Sequence, residues 1–443
     1  MSTADDAQKT PFFLRGNYAP LTEEQTYTNL RIEGSIPPTL SGRYLRNGPN
    51  PKGKTPPHWF FGDGMLHGLS IREGRVQWYR NRWIRTEQLD TELRMVGLDG
   101  QRNLHAGPAN TNIIRHAGHT LAVAETTLPW EVTEDLETVG HYNFGARLST
   151  GMTAHPKICA ATGEMHFFDY NWMSPFVTYH CVNATGELVR SVPIDVPGPT
   201  MMHDFAITRG HVLFMDLPVV FDFERAIRGV MPYRWDDNYG ARIGVLARGA
   251  TDGAVRWFPV SPCYVFHPMN AYEKDSNIVV DVARYPELWR DTAARFDLAF
   301  LHRWELNLES GQVRETALDD RPIEFPRIAD HLTGVPHRFG YAVGNLSSTT
   351  EDATTILKYD LHDGTSSEHD FGAGRFPGEA TFVADASAAQ EDAGWLMTFV
   401  YDAATDRSDF VILDAQQIAN KPVAAVKLPR RVPFGFHGNW FAD

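Results

Sequence analysis

Short apolar or alternating runs, broken by glycine-centred turns, recur along the whole chain. Such turns stand at residues 72–76 (REGRV), 116–120 (HAGHT), 161–165 (ATGEM), 184–188 (ATGEL), 252–255 (DGAV), 310–313 (SGQV) and 362–365 (HDGT). Each sets a glycine, free to take positive φ, between two candidate strands, which is the signature of a β-hairpin. Seven such turns predict an all-β chain and fit a propeller of repeated antiparallel sheets. The turns at 161–165 and 184–188 lie close enough to share one sheet, and a pair of β-sandwiches gives a similar pattern. Periodicity alone leaves both architectures open. Helical spacing of apolar residues occurs at 286–306, with Pro286 near a helix start, and at 221–233, where it fits a short amphipathic helix. The Pro- and Gly-rich stretches 47–57 and 372–378 read as loops. No composition break divides the chain, so residues 1–443 are expected to form a single domain.

Composition narrows the function. The 443 residues are 42% hydrophobic and 22% charged, as in a globular protein with a large core. The formal net charge of −14 speaks against a nucleic-acid partner, which needs a basic face. Cys159, Cys181 and Cys263 form no C-x-x-C and cannot all pair, so a reduced, cytoplasmic setting is expected. The polar, acidic residues 1–10 hold no apolar signal region, and no run of about 18 apolar residues predicts a membrane span.

One familiar motif fails on physical grounds. Residues 48–55 (GPNPKGKT) fit a phosphate-binding loop by spelling. Pro49 and Pro51 supply no N–H to a phosphate, and Pro56 and Pro57 stand where a helix should begin. Gly372, Gly374 and Gly378 miss the dinucleotide spacing by one residue, and His116 and His119 flank a hairpin turn rather than pairing as ligands.

Four of the 18 histidines occupy unusual settings: His155 in MTAHP, His203 in MMHDF, His267 in YVFHP and His437 in PFGFHGN. Each lies in an apolar or aromatic stretch beside Pro, Gly or Asp. Any one alone reads as a buried histidine satisfied by a carbonyl. They are 48, 64 and 170 residues apart, unlike the clustered ligands of a small zinc site. A propeller brings remote stretches to one axis, where imidazoles suit iron, copper, nickel or zinc. Carboxylates accepting the other ring N–H would orient the rings and balance charge. Glu125, Glu324 and Glu379 are candidates, each equally readable as a strand-end glutamate meeting an arginine.

At these residues the sequence resembles the carotenoid cleavage oxygenase family, which includes apocarotenoid and stilbene cleavers. The likeness runs through GRYLRNGPNP (42–51), HWFFGDGMLH (58–67), ANTN (109–112), LAVAE (121–125), TAHP (153–156), MHD (202–204), FHP (266–268), GE (378–379) and FHG (436–438). It implies a seven-bladed β-propeller with iron(II) on its axis, under a dome of loops and short helices. It implies His155, His203, His267 and His437 as metal ligands and Glu125, Glu324 and Glu379 as the acids behind them. Thr111 matches a position beside the open coordination sites, and with Phe266 it is the candidate catalytic residue. The implied reaction is O2-dependent scission of a conjugated C=C bond in a carotenoid or apocarotenoid, giving two carbonyl products.

Several alternatives accompany that resemblance. A lignostilbene-type enzyme is one, although such enzymes tend to carry a lysine where Ala124 stands. Others are isomerohydrolase chemistry, a zinc hydrolase, and a non-enzymatic propeller with structural histidines. The hydrophobic polyene substrate implies apolar tunnel walls, with Phe60, Phe61, Trp130, Trp172, Phe205, Phe266 and Phe382 as candidates against plain core packing. The 221–233 segment reads either as a peripheral membrane contact or as a helix covering the core.

Overall fold

All seven glycine turns join antiparallel strands. Glu73 and Gly74 (φ 48° and 69°) link Gly64–Arg72 to Arg75–Trp83, and Ala117 and Gly118 (48° and 85°) link Asn112–His116 to His119–Val123. Gly163, Gly186, Gly253, Gly311 and Gly364 sit at φ between 65° and 88°, where a Cβ would be strained. The computed structural model describes residues 10–91, 93, 95–97, 101–250, 253–290, 297–344, 346 and 353–443, so Asp252 of one turn lies outside the described residues.

The chain is all-β, and its antiparallel sheets follow one another in sequence. Four strands run from Asn112–His116 to Thr138–His141, and four from Lys157–Ile158 to Leu188–Ile194. The second of these holds both closely spaced turns. Four more run from Phe205–Ile207 to Arg256–Pro259, with a two-stranded ribbon of Val219–Phe221 and Tyr233–Trp235 between them in sequence. Seven run from Tyr264–Lys274 to Thr365–Asp370. That last sheet turns on one long strand, Val313–Arg327. Its first residues pair with Phe300–Asn307 and its last with Phe339–Gly344.

The two ends of the chain interlock. Gly438–Ala442 adds to Gly42–Pro49 in the five-stranded sheet, while Arg31–Gly34 adds to Ala424–Lys427 in the six-stranded sheet. Early and late segments thereby complete each other's sheets. Adjacent sheets bury apolar faces between them, with Phe168, Phe205, Phe214 and Phe258 fully enclosed. Each such ring contributes on the order of 1.5–3 kcal/mol.

The helical expectations need correction. No helix spans 286–306: Phe300–Asn307 is a strand paired on both sides, and residues 291–296 lie outside the described residues. Leu301, Trp304 and Leu306 fit helical spacing, yet all three are fully buried in a strand laddered on both sides, so the pairing decides. The 221–233 helix shrinks to five residues, Phe223–Ile227, capped by the Asp222 side chain accepting from Arg225 N–H. The 48–55 stretch has no helix after it, only the 3-10 turn Trp59–Phe61. Among the described residues no helix is long and apolar enough to cross a membrane.

Candidate metal centre

The four histidines stand at strand starts in four different sheets. His155 precedes Lys157–Ile158, His203 precedes Phe205–Ile207, His437 precedes Gly438–Ala442, and His267 lies early in Tyr264–Lys274. Around His267 the ladder shifts register twice, at Val265/Pro268 and Pro268/Asn270. Pro268 has no N–H to give, and the break re-aims the strand at this point.

Motif asparagines lock the neighbouring backbone. Asn47 Nδ2 donates to Ala109 O (2.7 Å) and Asn112 O (2.9 Å). Asn112 Nδ2 donates to Ala154 O (3.0 Å), fixing the residue before His155. Thr111 O accepts from His437 N–H (3.1 Å), and His437 O accepts from Asn47 N–H (3.0 Å). Remote segments are thus hydrogen-bonded into one frame before any side chain faces the cavity.

Within that frame the rings converge. His155 Nε2 lies 3.0 Å from His203 Nε2, which lies 3.3 Å from His267 Nε2. His437 packs 4.5 Å from His155 and 4.8 Å from His267, centroid to centroid. Three rings turn Nδ1 outward to carboxylates. His267 Nδ1 donates to Glu324 Oε2 (2.6 Å), His437 Nδ1 donates to Glu379 Oε1 (2.9 Å), and His203 Nδ1 contacts Glu125 Oε1. An ionised carboxylate only accepts, so Nδ1 carries the proton and Nε2 offers its lone pair inward. His155 differs: its Nδ1 lies 3.7 Å from Asp204, which is paired to Lys157.

The acids are themselves held. Glu324 accepts from the Tyr285 hydroxyl (2.8 Å) and Phe325 N–H, Glu379 from Arg327 (3.1 Å) and Gly438 N–H (2.9 Å), and Glu125 from the Tyr170 hydroxyl. Burial opposes ionisation of Glu379, yet Arg327 and His437 hold its carboxyl down at about 2. Burial and the other three rings push His155 well below the ordinary histidine value, and burial lowers His437 despite Glu379. At His267 the opposing burial is overcome by Glu324, which raises it, while Glu324 itself is lowered.

This donor set fits a divalent transition metal on two grounds. Inward lone pairs about 3 Å apart repel unless a cation lies between them. Metal–imidazole bonds of about 2.1 Å place neighbouring nitrogens of an octahedron about 3.0 Å apart, matching the observed spacing. In addition, among the described residues Glu125, Glu324, Glu379 and Asp204 are paired with only two cations, Arg327 and Lys157, which leaves two negative charges for a doubly charged ion to neutralise.

A cavity of about 860 Å³ reaches His203, His267 and His437. Thr111 lines it, and its hydroxyl donates to Asn110 Oδ1 (2.9 Å) rather than into the space. Phe266 also lines it, edge-on to His203 at 4.9 Å. Of the other expected wall residues, Phe60, Phe61 and Trp172 line the cavity. Trp130, Phe205 and Phe382 do not. Trp130 belongs to a core cluster with Leu45 and Leu66, Phe205 meets Phe168 edge-on at 5.2 Å, and Phe382 stacks on Tyr341 at 5.5 Å. Closeness to a motif in sequence does not set the direction of a side chain.

Sequence reasoning missed part of the wall and most of the support. Trp59, Met201, Tyr233, Phe325 and Phe436 line the cavity. Phe325 and Phe436 adjoin Glu324 and His437, so adjacency was a usable signal there. Nothing local marks Tyr170, Tyr285 or Arg327 as partners of the acids. In the His116–His119 turn, His116 is buried, with Nε2 2.8 Å from Gly163 O.

Known proteins resemble this chain along nearly its whole length. Residues 18–442 match the family model described as Retinal pigment epithelial membrane protein. The chain is 37% identical to a carotenoid cleavage oxygenase of Mycobacterium tuberculosis, with 99% of each covered. It is 34% identical to carotenoid 9,10(9',10')-cleavage dioxygenase 1 of Arabidopsis thaliana, covering 98% of this chain and 90% of that protein. Among solved structures, cobalt-substituted Synechocystis apocarotenoid oxygenase superposes with a TM-score of 0.85 at 26% identity, over 96% of this chain and 97% of that one. Pseudomonas brassicacearum lignostilbene dioxygenase superposes with a TM-score of 0.88 at 26% identity, over 98% and 99%.

Proposed function

Because the chain belongs to the carotenoid cleavage oxygenase family, we propose that it is a non-haem iron(II) dioxygenase cleaving a conjugated C=C bond of a carotenoid or apocarotenoid. The observation that carries this reading is the convergence of four imidazoles at the end of a large, mainly apolar cavity. His155, His203, His267 and His437 would hold the iron through Nε2. Glu125, Glu324 and Glu379 would fix three of those rings. When bound, iron(II) supplies the O2 activation that the side chains lack.

The remaining work belongs to the chain's own residues. Phe60, Phe266, Phe325 and Phe436 offer a dry, aromatic wall that aligns a polyene and excludes water. Phe266 and Thr111 border the reacting bond. One O2 adds across one C=C, and scission leaves two carbonyls, so no proton needs to be gained or lost. This agrees with a cavity in which the Thr111 hydroxyl is already engaged.

The fold reading extends to a seven-bladed propeller formed by the chain as one domain. Among the described residues, counting the two halves of Val313–Arg327 separately and setting aside the two-stranded ribbon gives seven antiparallel sets, and the interlocked ends would supply the closure. The turn Trp59–Phe61, Ala226 and residues 229–233 border the cavity, as a dome would. Ile227, Phe223 and Val230 are 86%, 55% and 48% exposed beside that border. They support peripheral contact with a membrane from which a polyene is drawn. The three cysteines are free, in keeping with a reduced, cytoplasmic setting.

Ala124 lines the cavity where a stilbene cleaver tends to place a lysine, which favours a polyene over a phenolic stilbene. The test is product analysis by mass spectrometry after iron-loaded protein meets carotenoids, apocarotenals and resveratrol. Paired carbonyl fragments from a polyene support the reading. Turnover of resveratrol alone, or of nothing, overturns it.

A further inference from the structure

A second group of metal-ligating side chains lies outside the cavity. Glu87 begins the 3-10 turn Glu87–Leu89, His105 lies in a loop, and His141 ends the strand Thr138–His141. Their ligand atoms all fall within 4.8 Å of one another. Glu87 Oε1 is 3.7 Å from His105 Nδ1 and 3.6 Å from His141 Nε2.

Those two distances are too long for hydrogen bonds. They approach the edge of about 3.4 Å that zinc–ligand bonds of about 2.1 Å give between ligands of a tetrahedron. Both ring nitrogens of His141 are buried without a hydrogen-bond partner among the described residues. A buried imidazole so placed calls for a polar partner, which a water or a metal ion can supply. The ring packs 3.9 Å from that of Trp130, centroid to centroid, and His105 meets it edge-on at 4.2 Å. No cation competes for the Glu87 carboxylate among its described contacts. By contrast, the cluster of Glu164, His166 and Cys181 already has Arg248 bound to its carboxylate, so a metal there meets a resident charge.

We propose that Glu87, His105 and His141 form a second divalent-metal site of zinc type, with solvent completing the tetrahedron. Two imidazoles and one carboxylate are a donor set that zinc uses with an open fourth position. The exposure of Glu87 and His105 gives the ion access, their side chains being 53% and 50% exposed. The site joins three separate stretches. Gln88 and Ala106, next in sequence to Glu87 and His105, line the substrate cavity. His141 is paired with Trp130 in a sheet. Metal at this site ties the cavity wall to that sheet without touching the iron ligands.

The experiment is calorimetric titration of iron-loaded protein with zinc chloride, with iron content measured before and after. The expected result is one zinc per chain bound while the iron stays in place. Affinity should fall at least about tenfold in His105→Ala and in His141→Ala. Glu87→Gln, at an exposed position, provides a variant whose folding is not at risk and should weaken binding in the same direction. No zinc uptake by the native chain, equal affinity in all three variants, or uptake matched by iron release would each overturn the proposal.

Discussion

Arg327 Nη1 donates to Glu379 Oε2 across 3.1 Å, where the Glu379 side chain is buried and that of Arg327 keeps 16% exposure. The pair keeps Glu379 ionised, and Glu379 in turn aims the His437 ring. Arg327→Met leaves a buried carboxylate without its cation and is expected to destabilise the fold by about 3–5 kcal/mol. Glu379→Gln preserves shape and is expected to weaken iron binding about 10- to 100-fold. In the double variant, denaturant unfolding should recover part of the Arg327→Met loss. Additive losses would contradict the coupling.

A second prediction concerns pH. Burial holds His180 at about 4, and burial aided by Arg248 holds His166 at about 3, so both rings are neutral in the fold. In the unfolded chain both titrate near 6.5, so the unfolded state binds the extra protons as pH falls below that value. Stability is therefore fully present above about pH 6.5 and declines toward pH 4, by about 1.4 kcal/mol per pH unit for each ring. Urea unfolding of metal-loaded protein at pH 4.5, 5.5 and 6.5 measures the slope. His180→Gln should remove about one ring's share, and an unchanged slope would count against the assignment.

How legible this protein was depended on whether a signal was local. A positive-φ glycine is a demand of one turn, so all seven turns were readable from the chain. The strand Phe300–Asn307 was not, because its apolar spacing suits two periods and only its pairing partners choose between them. The four histidines were legible as unusual, but their meeting depends on sheets folding in register. The family resemblance carried that step, and periodicity did not. Tyr170, Tyr285 and Arg327 were invisible because their partners lie 45, 39 and 52 residues away.

Phe266 tests the cavity wall. Its ring packs edge-on against His203 at 4.9 Å and Tyr285 at 5.4 Å. Phe266→Ala is expected to cost about 3–5 kcal/mol of stability. Iron content should be retained while cleavage slows and products spread over more than one double bond. Unaltered rate and product pattern would remove Phe266 from the reacting centre.

Ile227 tests the outer surface. At 86% exposure it contributes little to folding, so Ile227→Glu should change stability by less than about 0.5 kcal/mol. Sedimentation with lipid vesicles should nevertheless fall for Ile227→Glu, most clearly when combined with Phe223→Glu. Equal sedimentation of variant and native protein would assign this surface no role at a membrane.

The central claim is that four imidazoles from four sheets share one ferrous ion. X-ray absorption at the iron edge, on protein loaded anaerobically with one ferrous ion per chain, tests it most directly. The account predicts four imidazole nitrogens at about 2.1 Å and a loss of that shell with iron release in His267→Ala. An iron shell with fewer imidazoles, or one unchanged by His267→Ala, would contradict it.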